Sequence, residues 1–271
     1  MLPDPLAVIE TTLGPGMRGI ELDGVHVVRA ADRPDHAPGN AVHRTTALTA
    51  ETVEAAIEDL DQRFPTGRAR LVAPLERTVP TADGHVPSVL RVLRRDRPSA
   101  RHDVRGDLQL DAPTDDRAWH GLTVLHRHAA APGEDRARGN EDDRLRWWVD
   151  GVWTLVGEGR ARVLRAARFG TPVAAGVLHW APGIAVDDGH AGLAVVSDVV
   201  VHPAHRNLGI AHTLVEGLVA QHLADFPRAA VHGVWEQTGP EASATSPRGW
   251  TVHADMAVLT RHGDGADRAR R

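Results

Sequence analysis

The spacing of apolar positions changes several times along the chain, and each change predicts an element. From Val195 to Val201 the apolar residues are nearly continuous and β-branched (VVSDVVV), as in a strand buried on both faces. Pro203 ends that run. From Ile210 the spacing turns helical, with Ile210, Leu214, Leu218 and Val219 on one face. Upstream, strands are predicted over 25–29, 41–46 and 70–72. A helix between the last two carries Val53, Ala56, Ile57 and Leu60 inward, with Thr49 as its N-cap. Residues 1–20 hold one short helix limited by Pro3, Pro5 and Pro15. The apolar run from Val89 to Leu93 fits a short helix or a strand. The arginines of 91–97 either hold an acidic partner or form a solvated face with local ion pairs, and the solvated face is the first expectation.

Further on, a strand is predicted at 108–110 and a helix over 119–128 with Trp119, Leu122 and Leu125 inward. A second helix, 141–157, starts with acids at its positive end and presents Leu145, Trp148, Val149, Val152, Leu155 and Val156. Strands 160–168 and 171–180 are joined by a tight turn at Phe169-Gly170. Strands follow at 229–237 and 250–260, the last closing the sheet. Residues 129–143 and 183–192 read as polar loops, and 263–271 as a disordered tail. The polar stretch 98–106 is the expected boundary between an accessory module, 1–105, and a larger domain, 106–262.

Composition narrows the choices. With 42% apolar residues over 271 positions, a substantial core is available. There is no cysteine, which excludes a disulfide, a zinc–thiolate site and a cysteine nucleophile, and no metal site is expected. All 31 basic residues are arginine, and the net charge of −5 argues against general nucleic-acid binding. No apolar run approaches the roughly 18 residues of a membrane helix. The N-terminus lacks the basic start and cleavage site of a signal peptide, so a cytoplasmic protein is expected. Trp147, Trp148 and Trp153 either line a pocket or pack in the core, and core packing is the first expectation.

The candidate chemistry lies between the Val-rich strand and its helix, in Arg206-Asn207-Leu208-Gly209-Ile210-Ala211. Gly209 has no Cβ, so an anion can approach the backbone. The free N–H groups of the first helical turn, through His212, point at that anion and the helix dipole favours its charge. Arg206 can add a positive charge. The plain alternative is a strand-to-helix turn with no ligand.

These residues resemble the acyl-CoA loop of the GNAT superfamily of N-acyltransferases, whose pattern is Arg/Gln-x-x-Gly-x-Gly/Ala after V-x-P. Here it stands as Arg206, Gly209 and Ala211 after Val201-His202-Pro203. The resemblance is specific over about 160–262 and looser over 108–159. It implies an α/β fold (α+β in some schemes), a mixed twisted sheet flanked by helices, with a smaller, degenerate GNAT-like module before it. It also implies acetyl-CoA as co-substrate and a small-molecule, amino-acid or peptide amine as acceptor; a homodimer is left open. By resemblance, Val199, Val200 and Val201 would pair with the pantetheine arm at a β-bulge, and the N–H of Val199 would polarise the thioester carbonyl. Arg206, Asn207, Leu208, Gly209, Ile210, Ala211 and His212 would cradle the pyrophosphate. Asp198 is the candidate base, ahead of Glu236 and His202.

The departure is the acid. Many members carry a Tyr four residues before a Gly-Phe. The corresponding text is Thr245-Ser-Pro-Arg-Gly249-Trp250, and the chain has no Tyr. Thr245 is the stand-in beside the sulfur, and Gln237 is the amide nearest to an Asn often found there. The alternatives are a non-catalytic acyl-CoA-binding sensor or scaffold, and another nucleotide-phosphate enzyme. The last lacks a P-loop Gly-Lys-Ser/Thr and a G-x-G-x-x-G.

Overall fold

The computed structural model describes residues 4–12, 17–30, 39–97, 107–129, 141–180, 193–227, 229–238 and 249–261. The chain forms two compact units, Met1–Arg94 with Val234–Arg271, and Arg95–Gly233.

The first unit is a mixed sheet in the order β1-β2-β3-β4-β11-β5. β1 (Met17–Leu22), β2 (Val25–Ala30) and β3 (Asn40–His43) form an antiparallel meander. β3 then runs through α2 (Val53–Arg63) into β4 (Ala69–Pro74), its parallel neighbour. Val53, Ala56 and Leu60 bury the apolar stripe of α2 against Val42, Leu71, Val89 and Leu259. The helix starts at Val53 with Thr52 at its N-cap, three residues later than Thr49. Residues 50–52 make an extra turn first, and Thr49 contributes its carbonyl, to Val53 N at 3.0 Å, rather than a capping hydroxyl. Ahead of the meander, α1 (Pro5–Thr11) is capped by Asp4, and Glu10 Oε1 lies 3.0 Å from Nδ1 of both His26 and His43.

Two elements of this unit differ from expectation. The ambiguous stretch is a strand, β5 (His85–Arg95), with Ser88 to Leu93 all buried. Such continuous burial belongs to a strand covered on both faces, not to a one-sided helix. β11 (Thr251–Arg261), expected to close the sheet of the C-terminal domain, pairs antiparallel with β4 and β5 instead. Arg91, expected on a solvated face, is buried, and its Nε and Nη2 donate to Asp255 on β11 at 2.7 and 3.1 Å. The boundary stretch expected at 98–106, residues 130–140 of the first polar loop, the whole of the second (183–192) and the tail lie outside the described residues.

The second unit holds β6 (Leu108–Asp111), α3 (Asp116–Ala129), α4 (Glu141–Gly157), β7 (Ala161–Arg168), β8 (Thr171–Trp180), β9 (Ala194–Val201), α5 (Ile210–Asp225) and the first residues of β10 (Val231–Thr238). β6 to β9 are antiparallel in sequence order, and β10 joins β9 in parallel through the α5 crossover. The period-2 alternation of β7 and β8 sends side chains to two helical layers. Ala161, Val163, Ala175 and Val177 pack with Trp119, Leu122 and Leu125 of α3 and Val149, Val152 and Leu155 of α4. Gly176 faces the other way. A Cβ on it would lie 3.2 Å from Leu214 and 3.3 Å from Leu218 of α5. The approach is closer still at Gly217 of α5, where a Cβ would come within 2.9 Å of Leu110 and Leu164. Both units therefore carry the same core motif: a run of antiparallel strands whose last member crosses through a helix to a parallel neighbour. Among the described residues no helix is long and apolar enough to cross a membrane.

Candidate functional site

The site is built on β9 and α5. Ser197 and Val200 keep ladder partners on β8, Val177 and Ala175. Between them, Asp198 and Val199 stand opposite the single residue Gly176, so the strand carries a β-bulge. Asp198 sits at φ 51°, left-handed for an L residue, which lifts it out of the alternation and leaves Val199 without a ladder partner on β8. The ladder of β9 with β10 covers only Ala194–Val196 with Val231–Gly233. From Ser197 onward the described residues give β9 no ladder partner on that side. The bulge expected at Val199 is present, with a strand edge beside it.

The loop after β9 makes a short 3-10 turn, Pro203–His205, and enters α5 through two left-handed residues, Asn207 (φ 61°) and Gly209 (φ 75°, ψ 3°). Gly209 is the N-cap of α5. It has no side chain to bond the first N–H groups, and the space its Cβ would occupy is open to 4 Å. Those N–H groups, of Ile210, Ala211 and His212, have no intrahelical acceptor by construction. Leu208, Ala211 and His212 are exposed, while Ile210, Leu214, Leu218 and Val219 are buried as the helical spacing requires.

Arg206 differs from expectation. Its Nη2 donates to the carbonyl of Ala129 at 2.7 Å and its Nε to that of Val201 at 3.3 Å. It thus stitches the end of α3 to the end of β9.

Asp198 is the centre of a polar cluster. Ser197 Oγ donates to its Oδ2 at 2.6 Å, and Nε2 of His179 on β8 stands 3.5 Å from the same oxygen. The carboxylate side chain is 34% exposed and that of His179 is 2% exposed. Apart from this contact, neither ring nitrogen of His179 has a hydrogen-bond partner. Burial pushes the Asp198 carboxyl up, but His179, the Ser197 hydroxyl and His126 together hold it below the usual carboxylate range. His126 of α3 packs against Trp148 of α4, ring centroids 4.2 Å apart and planes tilted by 46°. Burial pushes its imidazole down to about 4 against the opposing pull of Asp198. At neutral pH the cluster is therefore an ionised carboxylate facing a neutral His126.

His179, Ser197 and His126 were not singled out in the sequence. For His126 the signal was there: it falls four residues after Leu122, on the inward stripe of α3. His179 ends an otherwise apolar strand and carried no such cue. Of the tryptophans, Trp148 packs at the α3–α4 core and against His126, whereas Trp153 is 54% exposed. Glu236 is engaged elsewhere, accepting from Ser88 Oγ at 2.7 Å and pairing with Arg70 at 3.0 Å. Thr245 lies outside the described residues.

Residues 122–234 match the family model described as the acetyltransferase (GNAT) family. Over those residues the chain is similar to that family, whose general chemistry is acyl transfer. No curated protein matches the sequence. Among solved structures, a functionally unknown conserved protein from Staphylococcus epidermidis is similar at 10% identity, covering 94% of this chain and 97% of that one, with a TM-score of 0.63. A GCN5-related N-acetyltransferase from Sphaerobacter thermophilus gives 12% identity, 91% and 84% coverage, and a TM-score of 0.57. A tandem GNAT protein from the clavulanic acid biosynthesis pathway gives 16% identity, 95% and 88% coverage, and a TM-score of 0.52. At these identities the likeness is one of fold, and it extends over both units.

Proposed function

We propose that the chain is an acetyl-CoA-dependent N-acetyltransferase acting on a primary amine of a small molecule, an amino acid or a peptide N-terminus. One observation carries this reading. A single strand–helix unit joins an unpaired, bulged strand edge to a glycine-opened helix N-terminus, with an ionised carboxylate on the bulge. The helix N-terminus suits a pyrophosphate, since its free N–H groups and dipole favour negative charge. The strand edge at Val199, Val200 and Val201 suits the amides of a pantetheine arm, which can add to it as a peptide would.

In this mechanism the acceptor arrives as an ammonium with a pKa near ~10 and must lose a proton before it attacks. Asp198 takes that proton, directly or through one water. The amine nitrogen bonds the thioester carbonyl carbon, whose developing oxyanion meets the N–H of Val199. The C–S bond then breaks, and the second proton on the nitrogen passes to the departing thiolate, leaving an amide and a free thiol. One such backbone donor is worth about 3–4 kcal/mol of barrier. The first unit serves as a non-catalytic module, since its crossover helix α2 has Thr52 rather than a glycine at the N-cap.

The test is calorimetric titration with acetyl-CoA, repeated on Gly209→Glu, which puts a side chain and a negative charge at the cradle. Micromolar binding lost in the variant supports the reading; no binding of any acyl-CoA by the parent protein sinks it. The second reading, a non-catalytic acyl-CoA sensor, is favoured by one fact, that the chain has no Tyr to protonate the thiolate. Release of thiol with an amine panel separates the two, and a chain without cysteine gives that assay a clean background.

A further inference from the structure

The outer side of α2, in the first unit, carries a groove that the β9–α5 site does not use. Its volume is about 1160 Å³. That exceeds the roughly 300–1,000 Å³ of a small-ligand site and leaves room for a stretch of chain. One wall is α2 and the other is the segment 78–83. Val53 and Val79 are buried at its base, and Ile57 and Ala82 are half-buried beside them. Above this apolar floor the walls are acidic. Glu54, Glu58 and Asp61 follow one another at spacings of four and three, which sets them in a row along one face of α2. Asp83 belongs to the other wall. Among the described residues no arginine or histidine lines the groove. Glu58 meets only the neutral amide of Gln62, at 3.5 Å, and neither Glu54 nor Asp83 has a cationic partner among the described residues. Like charges four apart on a helix disfavour it, so the row is incomplete without a cation.

One guanidinium already sits at the end of this row. Arg261, the last residue of β11, donates through Nη1 to Asp61 and through Nη2 to the carbonyls of Phe64 and Gly67. It lies at the C-terminal end of α2, where free carbonyls and the helix dipole favour a cation. From there the chain continues as HGDGADRARR, in which Arg268, Arg270 and Arg271 follow Asp264 and Asp267. Glu54 is seven residues from Asp61, about 10 Å along the helix. The seven residues from Arg261 to Arg268 reach up to about 24 Å when extended. The chain therefore leaves β11 at one end of the acidic row with enough length to bring its arginines to the other.

We infer that residues 262–271 dock back into this groove. Arg268, Arg270 and Arg271 meet Glu54, Glu58 and Asp83, and their methylene stems cover the floor at Ile57 and Ala82. Charge complementarity selects this occupant, and attachment at Arg261 makes it effective. Exposed ion pairs are individually weak, so a free peptide of this composition would bind poorly. Tethered beside the groove, the same arginines act at an effective concentration on the order of millimolar. The inference is independent of the acyl-transfer reading.

The experiment is paramagnetic broadening in the full-length protein. A chain without cysteine allows a single nitroxide to be attached through Ala269→Cys. Amide spectra of the isotope-labelled protein are then recorded in the paramagnetic and reduced states. At low salt, broadening is expected for the amides of 54–61 and 78–83. It is lost in about 1 M salt, where the screening length is about 3 Å. It is also lost at low salt in a Glu54→Gln/Glu58→Gln variant. Both glutamates are exposed, and unchanged amide positions away from the groove confirm that this variant is folded. No broadening at the groove of the parent, or broadening confined to other surfaces, overturns the inference. So does equal broadening in the variant, since the carboxylates would then not be what holds the segment. A mixture of nitroxide-bearing, unlabelled protein with isotope-labelled, nitroxide-free protein separates the two possible sources of the segment. An unbroadened groove in that mixture supports docking within one chain. Broadening there as strong as in the singly prepared sample assigns the groove to a second copy and overturns it.

Discussion

At the scale of the residue, Asp198 concentrates the chemistry. It occupies a left-handed backbone position, and the Ser197 hydroxyl and His179 converge on one of its oxygens. A left-handed non-glycine residue at a bulge costs on the order of 1 kcal/mol or more, a cost met at sites where geometry serves function. If Asp198 is the base, Asp198→Ala lowers kcat at least 100-fold, within the usual span of a general base. It leaves the acetyl-CoA Kd unchanged, and steady-state thiol release with calorimetry checks both. On the same reading His179 acts through Asp198, 3.5 Å away, and not on substrate. His179→Phe removes an interaction that favours the ionised carboxylate, so the Asp198 pKa rises. The acid limb of the kcat/KM profile then moves to higher pH, and His179→Gln restores part of the shift. An unchanged profile in both variants would leave His179 as packing alone.

At the scale of the element, the bulge and the helix entry matter because backbone groups, not side chains, do most of the proposed binding. α5 can lie close on the sheet only because Gly176 and Gly217 carry no side chains where Leu214, Leu218, Leu110 and Leu164 crowd in. Gly217→Ala would place a methyl 2.9 Å from Leu110 and Leu164 and is expected to cost about 1–3 kcal/mol, read as a lower urea midpoint. α5 also buries a charge: Glu216 is 1% exposed and pairs with Arg95, itself 4% exposed. Removing one partner strands the other in the interior. Glu216→Ala is therefore expected to cost about 3–5 kcal/mol in denaturant unfolding, and Arg95→Met/Glu216→Leu together much less.

At the scale of the molecule, buried histidines set the response to acid. Burial pushes His126 and His222 to about 4, whereas an unfolded chain protonates its histidines near 6.5. Their folded values are depressed, so the unfolded state binds more protons between those limits. Stability is full above pH 6.5, falls as pH drops toward 4, and then levels. The loss amounts to about 3 kcal/mol per imidazole at most. Urea midpoints from pH 7 to 4.5 check this, and His222→Leu should flatten the slope. Two units of like topology also share this chain. The first repeats the crossover of the second without a glycine at its helix entry, which is why only one candidate cradle exists among the described residues.

Much of this was legible in the sequence where the physics is local. A β-branched run, a proline stop, a glycine at the helix entry and a 3.6-residue stripe define the β9–α5 unit without reference to anything distant. Apolar spacing likewise located α2, α3, α4 and the β7–β8 hairpin. What spacing could not decide was pairing. β11 has the strand pattern whichever neighbour it joins, and only the folded chain gives it to β4 and β5. Arg91 and Arg95 read as surface residues, because sequence spacing does not show that Asp255 and Glu216, more than a hundred positions away, bury beside them. The cluster around Asp198 is of the same kind. One carboxylate was visible on its strand, but His179 from the adjacent strand, His126 from a helix and the bulge that turns Asp198 toward them come together only in three dimensions. The sequence by itself determined most of the elements and the glycine at the α5 entry, because these depend on residues within a few positions of one another. The tertiary structure decided strand partners, buried charge pairs and the protonation of the site, because each depends on which distant groups share a low-dielectric interior.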